Sequence, residues 1–168
     1  MDSYYSISET SLGWIGVLVS VIGIKRTTTP KRTKNRAFLD LKIPASTSEV
    51  DSSYRGVKSV FSRLQQYSKG TPTYFDDVID LKGTEFQLKV WNMVKRVPYG
   101  ETRNYGWIAR LIGSPNASMA VGQALKANPL PIVIPCHRII GKDGAILGYG
   151  GSNGSAMKSL LLSIESQG

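Results

Sequence analysis

The chain has 168 residues, enough for one domain of ordinary size or two small ones. Its formal net charge of +9 at pH 7 points to a polyanionic partner, most simply nucleic acid, although solubility alone is an alternative explanation. One cysteine and one histidine exclude an internal disulfide and a zinc cage of four cysteine and histidine ligands. The most apolar stretch, residues 12–24, is too short to span a bilayer and lacks signal-peptide features, so we expect an intracellular protein, cytoplasmic or nuclear, with no membrane contact.

The first elements along the chain are predicted to be strands. Residues 12–29 are rich in β-favouring side chains on both sides of a turn, which indicates a hairpin. Residues 30–44 are mostly basic, and their short apolar run Ala37-Phe38-Leu39 is a candidate third strand. Whether the basic residues between positions 25 and 42 contact a partner is left open.

A helix is expected over residues 54–70, where the apolar residues follow helical spacing. The segment that follows is acidic and has no helical period, so residues 76–83 are assigned to a linker. Residues 1–75 then form an N-terminal α/β domain, and residues 84–168 form a C-terminal domain.

The C-terminal domain is predicted to be mostly helical. Its first helix begins with a capping box formed by Thr84 and Gln87. Two short helices follow, separated by a turn at Gly113, with Ser114 as the cap of the second helix and a break at Asn128-Pro129. This layout is typical of a helix-turn-helix, whose second helix enters a DNA groove, although many unrelated helix pairs share it.

A last helix is expected over residues 155–166, with Glu165 at its end. A carboxylate at a helix C-terminus opposes the macrodipole, so a tertiary partner explains it better than helix stability does, and His137 is a candidate partner. Together these elements predict an α+β fold. Its N-terminal domain has a small antiparallel sheet and a helix, and its C-terminal domain is mostly helical with a helix-turn-helix.

The adjacent pair Cys136 and His137 is the strongest candidate for chemistry in the sequence. A lone cysteine is more often a small buried hydrophobe than a nucleophile. A neighbouring base changes that balance, because a free thiol with a pKa of about 8.5 must lose its proton to react. Consecutive side chains on an extended strand point to opposite faces, so His137 can serve Cys136 only through a bent backbone or a bridging water.

Residues 128–138, Asn-Pro-Leu-Pro-Ile-Val-Ile-Pro-Cys-His-Arg, are similar to the active-site signature of the O6-alkylguanine-DNA alkyltransferases. These repair proteins move an alkyl group from guanine in DNA onto their own cysteine. The resemblance extends from about Thr84 to Glu165 and is weaker at residues 11–17. It implies a single-turnover suicide transfer from O6 of guanine, with O4 of thymine as a second candidate, in double-stranded DNA. We also expect a monomer without cofactor, and no metal, because the first half of the chain lacks the cysteines and histidines with which some relatives bind zinc.

The resemblance further implies a role for each site residue. Cys136 accepts the alkyl group, His137 removes its proton through a water, and Glu165 supports the imidazolium. Asn128 holds the turn that brings these groups together, and Tyr105 assists nucleotide rotation and donates a hydrogen bond to the departing base. The implied pocket residues are Pro131, Ile139, Tyr149, Gly150 and Gly151, and the implied DNA contacts are Ser118, Met119, Lys126 and Arg138.

Two features depart from the family pattern. Met119 stands where the family has an arginine that replaces the extruded nucleotide. Either Met119 faces the core and another side chain intercalates, or it acts as an apolar wedge. The glycine-rich loop over residues 148–154 is about two residues longer than is usual in the family.

Two other functions compete with alkyl transfer. A lesion-binding protein that transfers nothing is one, but relatives of that kind lack the cysteine that this chain retains. A hydrolase that uses Cys136 and His137 is the other, and nothing in the sequence indicates an acyl pocket.

Overall fold

The computed structural model describes residues 3–44, 46–148 and 154–167. The fold is mixed α+β, as predicted. It divides into two compact units, Met1–Leu81 and Lys82–Gly168, and the division falls inside the segment that the sequence assigns to a linker.

A four-stranded sheet with the strand order β3-β2-β1-β4 organises the first unit. Strand β1 (Ser3–Thr10) pairs antiparallel with β2 (Gly13–Ser20) along its whole length, and β3 (Ile24–Thr27) continues the antiparallel pairing on the other side of β2. The short β4 (Ser48–Glu49) lies parallel to β1. The predicted hairpin over residues 12–29 is therefore confirmed, whereas β1 was not predicted.

The third strand predicted at residues 37–39 is wrong, because this segment belongs to helix α1 (Lys34–Leu41). Thr33 caps the helix by accepting a hydrogen bond from the Arg36 backbone N–H. Ala37 and Leu41, one helical turn apart, are fully buried and pack with Ile7 and Leu18 of the sheet. The helix predicted over residues 54–70 is confirmed as α2 (Arg55–Ser68).

Part of the expected linker is an edge of the sheet. The Ile24 backbone N–H donates to the Val78 carbonyl over 2.9 Å, and the Asp80 N–H donates to the Ile24 carbonyl over 2.9 Å. The Ser20 hydroxyl also lies 2.7 Å from an Asp80 carboxylate oxygen. Residues 78–80 are thus held against β3 by backbone pairing.

The second unit packs four helices around the segment that carries the cysteine. Helix α3 (Glu85–Val94) has the predicted capping box, and its Trp91 indole N–H donates to the Ala124 carbonyl over 2.9 Å. The remaining elements in chain order are β5 (Arg103–Asn104), α4 (Tyr105–Leu111), α5 (Ser118–Lys126), a 3₁₀ turn (Cys136–Arg138), β6 (Ile139–Ile140) and α6 (Gly154–Glu165). The two short strands pair in parallel and fix the 3₁₀ turn beside the start of α4.

Helix α5 begins later than predicted. Its N-cap is Ala117, and Ser114 instead closes a turn by accepting a hydrogen bond from the Ala117 N–H over 2.9 Å. In the ranges that the structure describes, no helix is both long enough and apolar enough to cross a bilayer.

Candidate active site

Asn128 shapes the backbone that leads to the cysteine. Its side-chain amide donates to the Ile134 carbonyl and to Cys136 Sγ, both over 3.0 Å, and its Oδ1 accepts from the Leu130 N–H over 2.9 Å. Between these contacts Ile132 has a φ of +73°, a left-handed conformation that a β-branched residue adopts only under strain. The three hydrogen bonds of Asn128 therefore hold a tight, strained bend, and one of them reaches the sulfur.

The bend ends in the 3₁₀ turn, whose first two residues are Cys136 and His137. This turn supplies the bent backbone that the adjacent pair requires. Cys136 is 5% exposed and His137 is fully buried. Imidazole Nε2 of His137 lies 2.6 Å from Glu165 Oε1 at the end of α6, so the contact expected from the sequence is present.

Arg138 was predicted to contact DNA, but its side chain is buried inside the protein. Its Nε and Nη2 donate to the two Glu165 oxygens over 2.8 and 3.1 Å. Its Nη1 donates to the Val97 carbonyl over 2.7 Å. The structure thus contradicts the prediction, because a guanidinium enclosed by these partners cannot reach a phosphate.

The two partners of Glu165 set the charge state of the site. Burial alone would raise the pKa of Glu165, but hydrogen bonds from His137 and Arg138 outweigh it and lower that pKa to about 2. Burial lowers the pKa of His137, against the opposing effect of its hydrogen bond to Glu165. At neutral pH the carboxylate is therefore ionised and paired with Arg138, while the imidazole is neutral and able to accept a proton.

Lys158 is a site residue that the sequence analysis missed. It lies on α6 with 1% of its surface exposed, and its Nζ donates to the Ile139 and Leu147 carbonyls over 2.5 and 3.1 Å. Nζ also lies 3.5 Å from the Tyr105 hydroxyl. The sequence did contain a sign of this role. Lys158 falls on the buried stripe of α6 with Leu161 and Glu165, and a lysine is rarely buried unless it binds a specific partner.

Comparison with known proteins identifies the arrangement. A family model described as the DNA-binding domain of 6-O-methylguanine DNA methyltransferase matches residues 85–167. The chain is 40% identical over 162 residues to the methylated-DNA–protein-cysteine methyltransferase of Methanosarcina acetivorans, which covers 96% of this chain and 97% of the relative. The chain belongs to the methylated-DNA–protein-cysteine methyltransferase family.

Two further members of this methyltransferase family show how far the similarity reaches. The constitutive enzyme of Bacillus subtilis is 39% identical over 163 residues, which is 97% of this chain and 95% of the relative. The crystal structure of the Mycobacterium tuberculosis OGT in complex with DNA has a TM-score of 0.82 and 32% identity, covering 98% of this chain and 93% of that one. The family name assigns methyl acceptance to a cysteine, and Cys136 is the only cysteine here.

The predicted pocket residues of this methyltransferase are only partly described. Pro131 is half-buried, whereas the Ile139 side chain is fully buried and meets the site through its carbonyl, which binds Lys158. Tyr149, Gly150 and Gly151 lie outside the described residues. Within those residues, no group of three or more histidine, cysteine, aspartate or glutamate side chains is arranged to hold a metal ion.

Helix α5 presents three of the four predicted DNA contacts on its outer surface. Met119 in the first turn is 87% exposed, Lys126 in the last turn is exposed, and Ser118 is half-exposed. The opposite face is buried through Val121, Ala124 and Leu125. The interpretation of Met119 as a core-facing residue is therefore wrong.

Tyr105 lies near both helix α5 and Cys136. A side-chain carbon added at Gly122, one turn after Met119, would lie 3.8 Å from the Tyr105 ring. Burial raises the pKa of Tyr105, and negative charge on Cys136 raises it further. Tyr105 is thus close to α5 at Gly122 and close enough to Cys136 to respond to its charge.

Proposed function

We propose that this chain repairs DNA directly, by transferring an alkyl group from O6 of guanine to Cys136 irreversibly and once per molecule. The observation that carries the proposal is the position of Cys136 at the start of the 3₁₀ turn, with the His137–Glu165 pair behind it. Full-length similarity to enzymes named for methyl transfer from DNA to a cysteine supports the same reaction. We propose O4 of alkylated thymine as a second, poorer substrate of the same site.

The first step is ionisation of the nucleophile. Because Nε2 of His137 faces Glu165, a proton that leaves the thiol arrives at Nδ1, through a water that bridges the two neighbouring side chains. The imidazolium formed in this way is stabilised by the Glu165 carboxylate, which is ionised over the whole working pH range. Glu165 orients the ring and never has to take the proton itself.

The second step is an in-line displacement at the alkyl carbon. The thiolate forms an S–C bond while the C–O6 bond breaks, and the electron pair stays on the guanine oxygen. The Tyr105 hydroxyl donates a hydrogen bond to the departing base and so stabilises its developing charge. The product is a thioether on Cys136. No step of the reaction breaks its S–C bond, so the thiol is not regenerated and the chain reacts once.

DNA is bound through α4 and α5, which act as a helix-turn-helix with Ser118, Met119 and Lys126 facing the duplex. The target carbon is shielded inside a stacked duplex, so the base has to be extruded before it can meet Cys136. An exposed methionine at the start of α5 is suited to fill the vacated stack as an apolar wedge. Crystallisation of the Mycobacterium tuberculosis OGT with DNA supports DNA as the partner.

The test is the intact mass of the chain after incubation with a duplex that carries one O6-methylguanine. The expected result is one added methyl group per chain, located on Cys136 by peptide mapping, with none after incubation with undamaged duplex or for Cys136→Ser. A folded sample that gains no methyl group would refute the transfer. If that sample still retained the lesion duplex preferentially, the chain would be a lesion-binding protein instead.

A further inference from the structure

Lys158 is a buried cation whose contacts contain no carboxylate. Its Nζ meets three oxygens, the carbonyls of Ile139 and Leu147 and the hydroxyl of Tyr105. Across residues 3–44, 46–148 and 154–167, no ion pair joins Lys158 to an acidic side chain. Lysine is almost never fully buried unless it is paired, because removing an ammonium from water is costly. An anion of another kind close to Nζ would offset part of that cost.

The hydrogen-bond pattern of Lys158 fits an ammonium. An ammonium has three N–H donors and no acceptor, and the three oxygens around Nζ match those donors. A neutral amine would instead donate to the two carbonyls and accept from the Tyr105 hydroxyl, so the electrostatics of the site decide between the two forms. Burial lowers the pKa of Lys158, and negative charge on Cys136 opposes that effect.

The other charges of the site are already matched. Arg138 forms a two-pronged ion pair with Glu165, and His137 is neutral because burial lowers its pKa. The titratable groups in and around the 3₁₀ turn of Cys136 are His137 and Arg138 in the turn, Glu165 and Lys158 on α6, Tyr105 on α4, and Tyr99 after α3. Of these, Lys158 is the cation that no carboxylate neutralises.

The position of Lys158 couples it to the nucleophile. One of its contacts is the carbonyl of Ile139, the residue that directly follows the 3₁₀ turn of Cys136. Its hydroxyl partner is Tyr105, on which negative charge at Cys136 also acts. We propose that Lys158 is the counter-cation of the Cys136 thiolate and stabilises the nucleophile once His137 has taken its proton. This rests on the proposed role of Cys136 as the alkyl acceptor.

Lys158 is thus a positioning and electrostatic residue, distinct from His137. His137 takes the proton from the thiol, whereas Lys158 stabilises the charge that remains. After transfer the sulfur is a neutral thioether, and Lys158 loses its counter-charge inside the protein. The alkylated chain should therefore be less stable than the unmodified chain, and part of that loss should disappear when Lys158 is replaced by an uncharged side chain.

The experiment titrates Cys136 without DNA. Because the chain has one cysteine, the pH dependence of the initial rate of carboxamidomethylation by iodoacetamide reports on Cys136 alone. Lys158→Met removes the charge and keeps the length, Lys158→Gln keeps hydrogen bonding to the carbonyls, and Lys158→Arg keeps the charge. Lys142→Met, at an exposed position after β6, is the matched control.

The expected result is a midpoint that moves to higher pH by about one unit or more in Lys158→Met and Lys158→Gln, with about a tenfold lower rate per unit at neutral pH. Lys158→Arg should lie between them and the wild type, and Lys142→Met should match the wild type. Wild-type midpoints in folded Lys158→Met and Lys158→Gln would overturn the proposal.

A second measurement requires no variant and covers the case in which these substitutions prevent folding. After iodoacetamide blocks Cys136 in the wild-type chain, the side-chain ammonium of Lys158 should lose its proton at lower pH in a nitrogen-detected lysine spectrum. An unchanged midpoint would overturn the proposal. Neither measurement uses a DNA substrate, so a chain that shows the Lys158 effect but gains no methyl group from DNA would refute the repair function alone.

Discussion

His137 and Glu165, 28 residues apart in the sequence, are joined by a hydrogen bond of 2.6 Å between Nε2 and Oε1. The carboxylate is also bound by Arg138 and by the Gly100 N–H, so its position is fixed from three sides. A carboxylate held in this way fixes which imidazole nitrogen faces it. Nδ1, the other ring nitrogen, is therefore the one that can take the proton from the thiol.

Replacing His137 by glutamine should slow alkyl transfer by about a hundredfold or more, the usual contribution of a general base. Affinity for a duplex should stay the same, because His137 is fully buried and touches no exposed surface. Single-turnover rates with a methylated duplex and fluorescence anisotropy with the same duplex measure the two quantities. Equal losses of rate and affinity would indicate that the variant had damaged the DNA-binding surface instead.

The folded chain should lose stability as the pH falls below neutral, in two stages. The pKa of His137 is lowered by burial, so the unfolded chain takes up a proton first, near its ordinary value of about 6.5. The pKa of Glu165 is lowered to about 2, so its contribution is complete above about pH 5 and is lost as the pH falls from about 4 towards 2.

Urea unfolding at a series of pH values measures both stages. His137→Gln should remove the part of the decline between about pH 7 and 5, and Glu165→Gln should remove the part below about pH 5. A decline of unchanged shape in both variants would assign the acid sensitivity to other carboxylates.

Arg138→Met should destabilise the chain by about 3–5 kcal/mol, because it leaves a buried carboxylate without its charged partner. Without Arg138 the carboxylate should hold a proton on His137 more strongly, so the acid limb of the transfer rate should move to higher pH. Arg138→Met/Glu165→Gln should recover part of the stability. The pH dependence of the transfer rate tests this electrostatic role. A variant that loses stability but keeps the wild-type acid limb would show that Arg138 is only structural.

The same variant tests whether Arg138 contacts DNA. A residue that neutralises one phosphate contributes about 0.9 to the slope of log K against log salt. Arg138→Met should leave that slope unchanged, since its guanidinium is enclosed by Glu165 and Val97. Lys126→Met, which removes an exposed cation on α5, is the comparison that should lower the slope.

The sequence predicted those features that local patterns encode. The capping box at Thr84, the helical spacing of α2 and the Glu165–His137 contact followed from residue spacing or from a charge at the wrong end of a helix. Helix α1 was misassigned because a three-residue apolar run has no readable period, and only the burial of both Ala37 and Leu41 reveals the helix.

The roles of the two buried cations could not be obtained in this way. Arg138 follows the nucleophile in sequence and was grouped with the DNA contacts, yet its partner is the carboxylate at the far end of the chain. Lys158 occupies the buried stripe of α6, and its partners are carbonyls that no side-chain pattern encodes. Both assignments depend on tertiary packing that brings α6 onto the 3₁₀ turn.

Met119→Arg should strengthen binding to duplex DNA and raise the salt slope by about 0.9, because an exposed cation is added at the start of α5. Ala120→Arg adds the same charge at the neighbouring exposed position and is the matched control. Equal gains in the two variants would mean that the added charge acts non-specifically.

Met119→Ala tests the wedge directly, because a wedge is needed only when a base must leave a stack. Loss of the side chain should slow transfer from a methylated duplex by about fivefold or more, in line with stacking contributions of at least about 1 kcal/mol. Transfer from the free base O6-methylguanine should proceed at the wild-type rate, since no stack has to be filled. The ratio of the two rates is the measurement, and an equal slowing of both reactions would assign Met119 to the shape of the active site and exclude a wedge.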